Sequence, residues 1–233
     1  MIVTPYPAYN SVFKSDSLFG IFHPLCSISG YGEGANDTLH FVAPYPNWGF
    51  EKFKTDQNGA AFCIFELVDD KYAFSGNIDF YAPQPDRKEI LQTLDRQLVK
   101  HFELSNERFS VDNYIKNWGY HLKGSDSEHL IKEYDKYFFA KYSWESRIGT
   151  NTRKATKPIP TPKIEKFNVD KNDHSSGFTD ILVNAEYILP SIILNEWVPI
   201  GVAYSEYFLP DTPDTYLFLH ENKRQTLCVY GSS

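Results

Sequence analysis

The stretch from Ala60 to Leu104 constrains the fold most, because it reads in order as strand, turn, strand and helix. The nearly continuous apolar run Ala61–Val68 is rich in aromatic and β-branched residues and predicts a buried strand. Asp69–Lys71 then predicts a turn. From Tyr72 to Phe80 apolar and polar residues alternate with the two-residue period of a half-buried strand. The two strands therefore predict an antiparallel hairpin.

Two helices are predicted beside this hairpin. Asp86–Glu103 begins with an acidic cap and continues with apolar residues at helical spacing. Asp126–Tyr142 follows a capping box that starts at Ser125, and its aromatic residues recur every four positions. The sequence therefore predicts an α+β fold, in which antiparallel β-sheets built from hairpins are flanked by these two main helices.

Further strands are predicted on both sides of the helices. Phe19–Ile28 and Thr38–Ala43 have strand composition, and a glycine-rich loop lies between them. Ile192–Tyr207 is a long, β-rich run with a break near Pro199. Tyr216–His220 and Thr226–Tyr230 face each other across four polar residues, which is the pattern of a second hairpin.

The segment Arg147–Lys171 differs in composition from the rest of the chain. It contains seven basic and two acidic residues, whereas the whole chain has a formal net charge of −7. Its alternate prolines Pro158, Pro160 and Pro162 favour an extended strip that cannot be a central strand. We expect one domain over residues 1–233 with a basic, proline-rich loop or linker at 147–171. The alternative is two subdomains, residues 1–146 and 175–233.

The sequence contains no motif that binds a metal or a nucleotide. Three cysteines, odd in number and far apart, predict neither a disulfide framework nor a zinc site. The glycines of Ser29–Gly34 have neither the dinucleotide-binding nor the P-loop spacing. We therefore expect no metal and no cofactor.

Catalytic patterns are equally incomplete. Cys26 with His23 and His40 is the nearest approach to a nucleophile and its base, but no third group that would orient the base is evident. His220 with Glu221 is more typical of a strand end than of an acid and base pair. We therefore assign no catalytic residue and favour a protein that is not an enzyme.

No membrane segment is predicted. The most apolar region, Ile188–Leu194, is interrupted by a proline and is far shorter than the roughly 20 apolar residues of a membrane span. From the first residues of the sequence we expect no secretory signal. We expect a soluble, cytoplasmic protein.

Aromatic residues make up 16% of the chain, and they suit both sheet faces and protein interfaces. The segment Pro44–Phe50 carries three of them among prolines, and its Tyr45 and Trp48 are candidate partner contacts. Asp211 and Asp214, in a predicted turn, are candidate acidic contacts. The negative net charge disfavours nucleic acid and favours a basic protein partner.

These patterns lead to one principal functional hypothesis and two alternatives. The first is a non-catalytic, cytoplasmic protein-binding module of the inhibitor or toxin-immunity kind, which masks a basic partner. The main alternative is a small-molecule-binding protein or a hydrolase-type enzyme whose site is assembled only in the fold. The third is a structural subunit of a larger assembly.

Overall fold

The fold is taken from a computed structural model. The structure describes residues 2–31, 37–44, 50–81, 88–96, 134, 137, 138, 140, 141, 164, 165, 196–204, 208 and 213–231. In this part of the chain the architecture is α+β with two antiparallel sheets, which confirms the predicted fold class.

The small sheet has three antiparallel strands in the order β1-β2-β3. They are β1 (Ile2–Pro5), β2 (Phe22–Ser29) and β3 (Leu39–Pro44). The register between β2 and β3 shifts between Pro24 and Cys26. Such an irregularity is expected at a proline, which has no N–H to give to a neighbouring strand. The shift decides which side chains of β2 and β3 lie opposite each other.

Within the described residues the large sheet has seven strands in the order β4-β5-β10-β9-β8-β7, with β6 also paired to β5. Their bounds are β4 (Asn58–Gly59), β5 (Phe62–Val68), β6 (Lys71–Ala73), β7 (Ile164–Glu165), β8 (Val198–Ala203), β9 (Asp214–His220) and β10 (Gln225–Gly231). β9 and β10 form the predicted second hairpin, and the break predicted near Pro199 is a register shift within β8.

The first hairpin is confirmed in β5 and β6, but its second strand is shorter than predicted. It ends at Ala73, and Ile78–Tyr81 is a short 3₁₀ helix. Asn77 explains the change, because its side-chain oxygen accepts the Asp79 N–H at 3.0 Å while its own N–H donates to Asn58 at 2.9 Å. These bonds to asparagine side chains, one local and one long-range, replace the strand ladder. The predicted strand as far as Phe80 is therefore wrong.

Both main helices are present where the structure describes them. Residues 88–96 are helical, as are residues 134, 137, 138, 140 and 141. Their apolar side chains Leu91, Leu94 and Phe138 are buried in the core. The Tyr137 hydroxyl donates to the Pro24 carbonyl at 2.8 Å, so the second helix is fixed to β2.

The core lies between the two sheets, where β3 packs across β9 and β10. Aromatic rings fill much of it: Phe22 of β2 meets Phe65 of β5 edge-on, with ring centroids 5.1 Å apart. Edge-on pairs of this kind add about 0.5–1.5 kcal/mol to the free energy gained by burial alone. The aromatic side chains of both sheets thus hold the two layers together.

The predicted loop or linker at 147–171 is described only at Ile164–Glu165. These two residues form β7, which pairs with β8 at the end of the strand order. A position at the sheet edge agrees with the alternate prolines just before it. β5 and β10, which lie on either side of this segment in the sequence, are neighbours in the large sheet. Within the residues described, no helix is long and apolar enough to cross a membrane.

Candidate functional site

A buried chain of polar groups connects the two sheets beside the β5–β6 turn. Ser27 of β2 lies directly opposite His40 of β3, and the Ser27 Oγ is 2.6 Å from the His40 Nδ1. The His40 Nε2 is 2.7 Å from the carbonyl oxygen of Asp70. The Tyr72 hydroxyl donates to the His40 carbonyl and accepts the His40 N–H, both at 2.8 Å. We call Ser27, His40, Tyr72 and the Asp70 carbonyl the bridge network.

The bonds of the bridge network fix the proton on His40. A carbonyl oxygen can only accept, so Nε2 carries the proton, and Nδ1 accepts from the Ser27 hydroxyl. Burial lowers the pKa of His40 below its ordinary value, although the hydrogen bond to Asp70 acts in the opposite direction. His40 is therefore a neutral imidazole at neutral pH.

A serine, a neutral histidine and an oriented acceptor are the parts that nucleophilic catalysis uses. In this protein, however, only 6% of Ser27 and 2% of His40 is exposed. A substrate carbonyl therefore has no open approach to the Ser27 oxygen. In the described arrangement the bridge network joins the small sheet to the β5–β6 turn.

The predicted grouping of Cys26 with His23 and His40 differs from what the structure contains. Strand alternation and the register shift place Cys26 opposite Phe41, and His40 bonds the next residue, Ser27. His23 lies against the ring of Tyr137, with centroids 4.6 Å apart. Burial also raises the pKa of Cys26 well above its ordinary value, so its thiol is a poor nucleophile.

Charged side chains surround the bridge network at the surface. Arg224 donates to both carboxylate oxygens of Asp37, at 3.1 and 2.9 Å. Lys14 is 2.7 Å from Asp69, and this hydrogen bond is the main reason that the pKa of Asp69 is lowered. Exposed pairs of this kind contribute little stability. The charges at this end are therefore mixed in sign, with no single acidic face among them.

A second buried cluster lies at the centre of the large sheet. Cys63 of β5 and Cys228 of β10 are directly opposite each other. Cys63 hydrogen-bonds the Tyr81 hydroxyl, and Tyr230 lies close by. Burial raises the pKa of Cys63 to about 12 and also raises that of Cys228. We call these four residues the thiol–tyrosine cluster, and its thiols are protonated at neutral pH.

His220, which the sequence pattern assigned to a strand end rather than to an acid and base pair with Glu221, is the last residue of β9. Its Nε2 is 3.1 Å from Glu196, while Glu221 is an exposed turn residue. The Trp197 ring meets the imidazole edge-on at 5.2 Å. Among the residues that the structure describes, no three His, Cys, Asp or Glu side chains are grouped so that they could hold a metal ion.

Of the four predicted partner contacts, three lie outside the described residues: Tyr45, Trp48 and Asp211. The fourth, Asp214, is the first residue of β9 and is only 6% exposed. Its carboxylate adds to burial in raising the pKa of Tyr216 to about 12. Asp214 thus offers little surface to a partner.

Phe50, the last residue of the predicted contact segment, is described and is 47% exposed. Its N–H donates to the Phe80 carbonyl at 2.8 Å, which fixes its backbone to the core. The Phe53 ring lies 6.4 Å away, and the Lys52 ammonium is 4.6 Å from the centre of that ring. We call Phe50, Lys52 and Phe53 the Phe50 surface. The aromatic and proline pattern of Pro44–Phe50 was the signal for it.

Comparison with known proteins does not place the chain in a family. No family model, no curated protein and no solved structure matches it.

Proposed function

We propose that this chain is a non-catalytic, cytoplasmic protein-binding module of the inhibitor or toxin-immunity kind, which masks a basic partner protein. The observation that carries the proposal is the exposure of Phe50, whose backbone is hydrogen-bonded to the carbonyl of the buried Phe80. An exposed aromatic ring that is held in place is typical of a residue that anchors a protein interface.

Phe50 differs from the other exposed apolar side chains of the described structure. The large hydrophobic side chains that are exposed there are Ile2, Phe50, Val68 and Val198, and Phe50 alone among them is aromatic. Most other aromatic rings described are buried in the core. Because the removal of apolar surface from water is favourable, a partner that covers the Phe50 ring would gain free energy of binding.

The charge of the chain supports a basic partner. The formal net charge is −7, and exposed Glu51 and Asp79 lie on the two short 3₁₀ helices beside Phe50. Lys52 packs against the rings, and Lys54 lies 3.8 Å from Glu51. A negatively charged molecule attracts a cationic partner over a distance and increases the rate at which the two meet.

The test is capture of a partner from an extract of the native host, followed by measured binding. We expect one stable, basic protein partner, and Phe50→Ser should weaken its binding at least about tenfold, as loss of an interface anchor does. Val198→Ser is the matched control, since it removes another exposed apolar side chain, that of the first residue of β8, and it should bind as the unmodified chain does. Recovery of no stable partner, or equal binding by both variants, would refute the proposal.

A hydrolase-type enzyme is the second candidate, and the bridge network is the observation that favours it. The Ser27 hydroxyl already donates to a neutral, oriented His40. A fluorophosphonate probe, which reacts with activated serines, separates the two candidates. Labelling at Ser27 that disappears in His40→Asn would favour the enzyme, whereas an unlabelled protein that binds its partner through Phe50 would favour the binding module.

A further inference from the structure

The two cysteines of the large sheet are placed as a cross-strand pair. The register of β5 with β10 is uninterrupted from Phe62 to Glu66, and it sets Cys63 directly opposite Cys228. Side chains of directly opposed residues project from the same face of a sheet. Both cysteines belong to the buried core, and neither has any exposed surface.

The backbone hydrogen bonds between β5 and β10 show whether Cys63 and Cys228 form a hydrogen-bonded or a non-hydrogen-bonded pair. The Tyr230 N–H donates to the Ala61 carbonyl and the Leu67 N–H to the Arg224 carbonyl, each at 2.8 Å. In an antiparallel ladder the hydrogen-bonded pairs recur at every second residue, so Cys63 and Cys228 form one of them. Their Cα atoms are then about 5.5 Å apart, inside the range of roughly 4.4–6.8 Å that a disulfide spans.

We propose that Cys63 and Cys228 form a latent cross-strand disulfide site, which a small two-electron oxidant such as hydrogen peroxide closes within the folded protein. Opposed Cβ atoms lie about 4.5–5.5 Å apart, whereas a disulfide needs about 3.5–4.5 Å. The strands must therefore approach by roughly 1 Å. The resulting bond is strained, and a strained disulfide is readily reduced again by a thiol.

Hydrogen peroxide accepts the two electrons that the cysteines lose when the disulfide forms. One cysteine sulfur, as its thiolate, attacks a peroxide oxygen, which breaks the O–O bond, gives a sulfenic acid and releases water after protonation. The second sulfur then attacks the first, forms the S–S bond and displaces a second water. Two thiols lose two electrons and two protons, and one peroxide becomes two water molecules.

The surroundings of the pair make this reaction slow and selective. Tyr81 hydrogen-bonds Cys63, and the backbone of Val42 hydrogen-bonds Cys228, so both thiols are shielded by protein groups. The third cysteine, Cys26, is in the small sheet opposite Phe41. Peroxide should reach one sulfur, and that thiol should lose its proton to water, when β5 and β10 separate briefly; when the strands close again, the two sulfurs are each other's nearest reaction partner.

The experiment exposes the folded chain to hydrogen peroxide, alkylates free thiols after unfolding, and maps the peptides by mass spectrometry. We expect an intramolecular Cys63–Cys228 disulfide, two hydrogen masses lighter than the dithiol, with Cys26 alkylated. Low millimolar reduced glutathione should reverse it. The oxidised chain should also unfold at a higher urea concentration than the reduced chain, because the link constrains the unfolded state.

Two variants make the test selective. Cys26→Ala should give the same disulfide at the same rate, whereas Cys228→Ala should give none, and its circular dichroism spectrum checks that it folds. The proposal is overturned if Cys26 takes part in the disulfide. It is also overturned if Cys63 and Cys228 stay free in the folded chain under peroxide that fully oxidises the unfolded chain.

Discussion

Around His40 the buried polar side chains of the bridge network all have partners, whereas near Cys63 and Cys228 two buried hydroxyls do not. These are the hydroxyls of Thr215 and Tyr230, which lie on the core face of the large sheet without a hydrogen bond of ordinary geometry. The Tyr230 hydroxyl is near the Cys63 thiol, which is at best a weak partner. The bridge network is complete, and the thiol–tyrosine cluster is not.

The difference follows from where the two regions lie in their sheets. β3 ends the strand order of the small sheet, so the His40 N–H and C=O point away from β2 and need a partner from elsewhere. Tyr72 supplies both bonds with one hydroxyl. β5 and β10 are inner strands of the large sheet, and their backbone groups are paired without help from side chains. A polar side chain is therefore essential at the sheet edge and dispensable inside the ladder.

The most direct test of this difference is to make the same substitution, tyrosine to phenylalanine, in both regions. Tyr72→Phe leaves the His40 N–H and C=O buried without partners, and we expect it to lower the free energy of unfolding by about 3 kcal/mol. Tyr230→Phe removes a hydroxyl that has no ordinary bond to lose, and we expect a change below about 1 kcal/mol. Urea denaturation of the three proteins measures both differences.

The two tyrosines are well matched for this purpose, since both are buried and both rings contribute to the same core. Equal losses in the two variants would show that pairing of the hydroxyl does not distinguish the regions. A larger loss in Tyr230→Phe would reverse the comparison.

The second prediction tests the bridge network through pH. The pKa of His40 in the folded chain is lowered below 6.5, the ordinary value that the unfolded chain has. Below that pH the unfolded chain binds a proton on this histidine more readily than the folded chain does, which favours unfolding. The stability that the neutral His40 gives the folded chain is therefore complete above pH 6.5 and is lost as the pH falls. The loss proceeds by at most about 1.4 kcal/mol per pH unit.

Urea denaturation between pH 8 and pH 5 measures that slope. His40→Asn has no imidazole to titrate, so its free energy of unfolding should fall less steeply than that of the unmodified chain. The other histidines and the carboxylates remain in both proteins, and the difference between the two slopes isolates His40. Identical slopes would mean that His40 binds its proton equally well in the folded and unfolded chains.

Much of the fold could be predicted from local pattern, because strand periodicity and capping residues are local signals. The hairpin of β9 and β10 and the helical residues at 88–96 are examples. The 3₁₀ helix Ile78–Tyr81 could not be predicted in this way. Its alternating residues resemble a strand, and the bond from Asn77 to Asn58 that ends the strand joins residues far apart in sequence.

The bridge network was missed for a similar reason. Ser27 and His40 come together only through the register of β2 and β3, and that register depends on the shift at Pro24. Sequence reasoning selected Cys26, one residue away, which strand alternation sends to the opposite face. The Phe50 surface was not predicted, because the candidates chosen in Pro44–Phe50 were Tyr45 and Trp48, and Phe50 at the end of that segment was not among them.

The smallest expected effect on stability is at Arg224, beside the bridge network, where two variants distinguish the contribution of charge from that of backbone strain. Arg224 has a positive φ of 49° in the turn between β9 and β10, a conformation that glycine adopts without strain. Arg224→Ala and Arg224→Gly both remove the ion pair with Asp37, so they differ only in the Cβ atom. Arg224→Gly should therefore be more stable than Arg224→Ala by about 1 kcal/mol.

The salt dependence of the same variants completes the argument. The exposed ion pair with Asp37 contributes at most about 1 kcal/mol, and added salt screens it. The stability advantage of the unmodified chain over Arg224→Ala should shrink in 1 M sodium chloride, whereas the gap between the glycine and alanine variants should not change. A glycine–alanine gap that also closed in salt would mean that charge, and not the left-handed backbone, sets the stability of this turn.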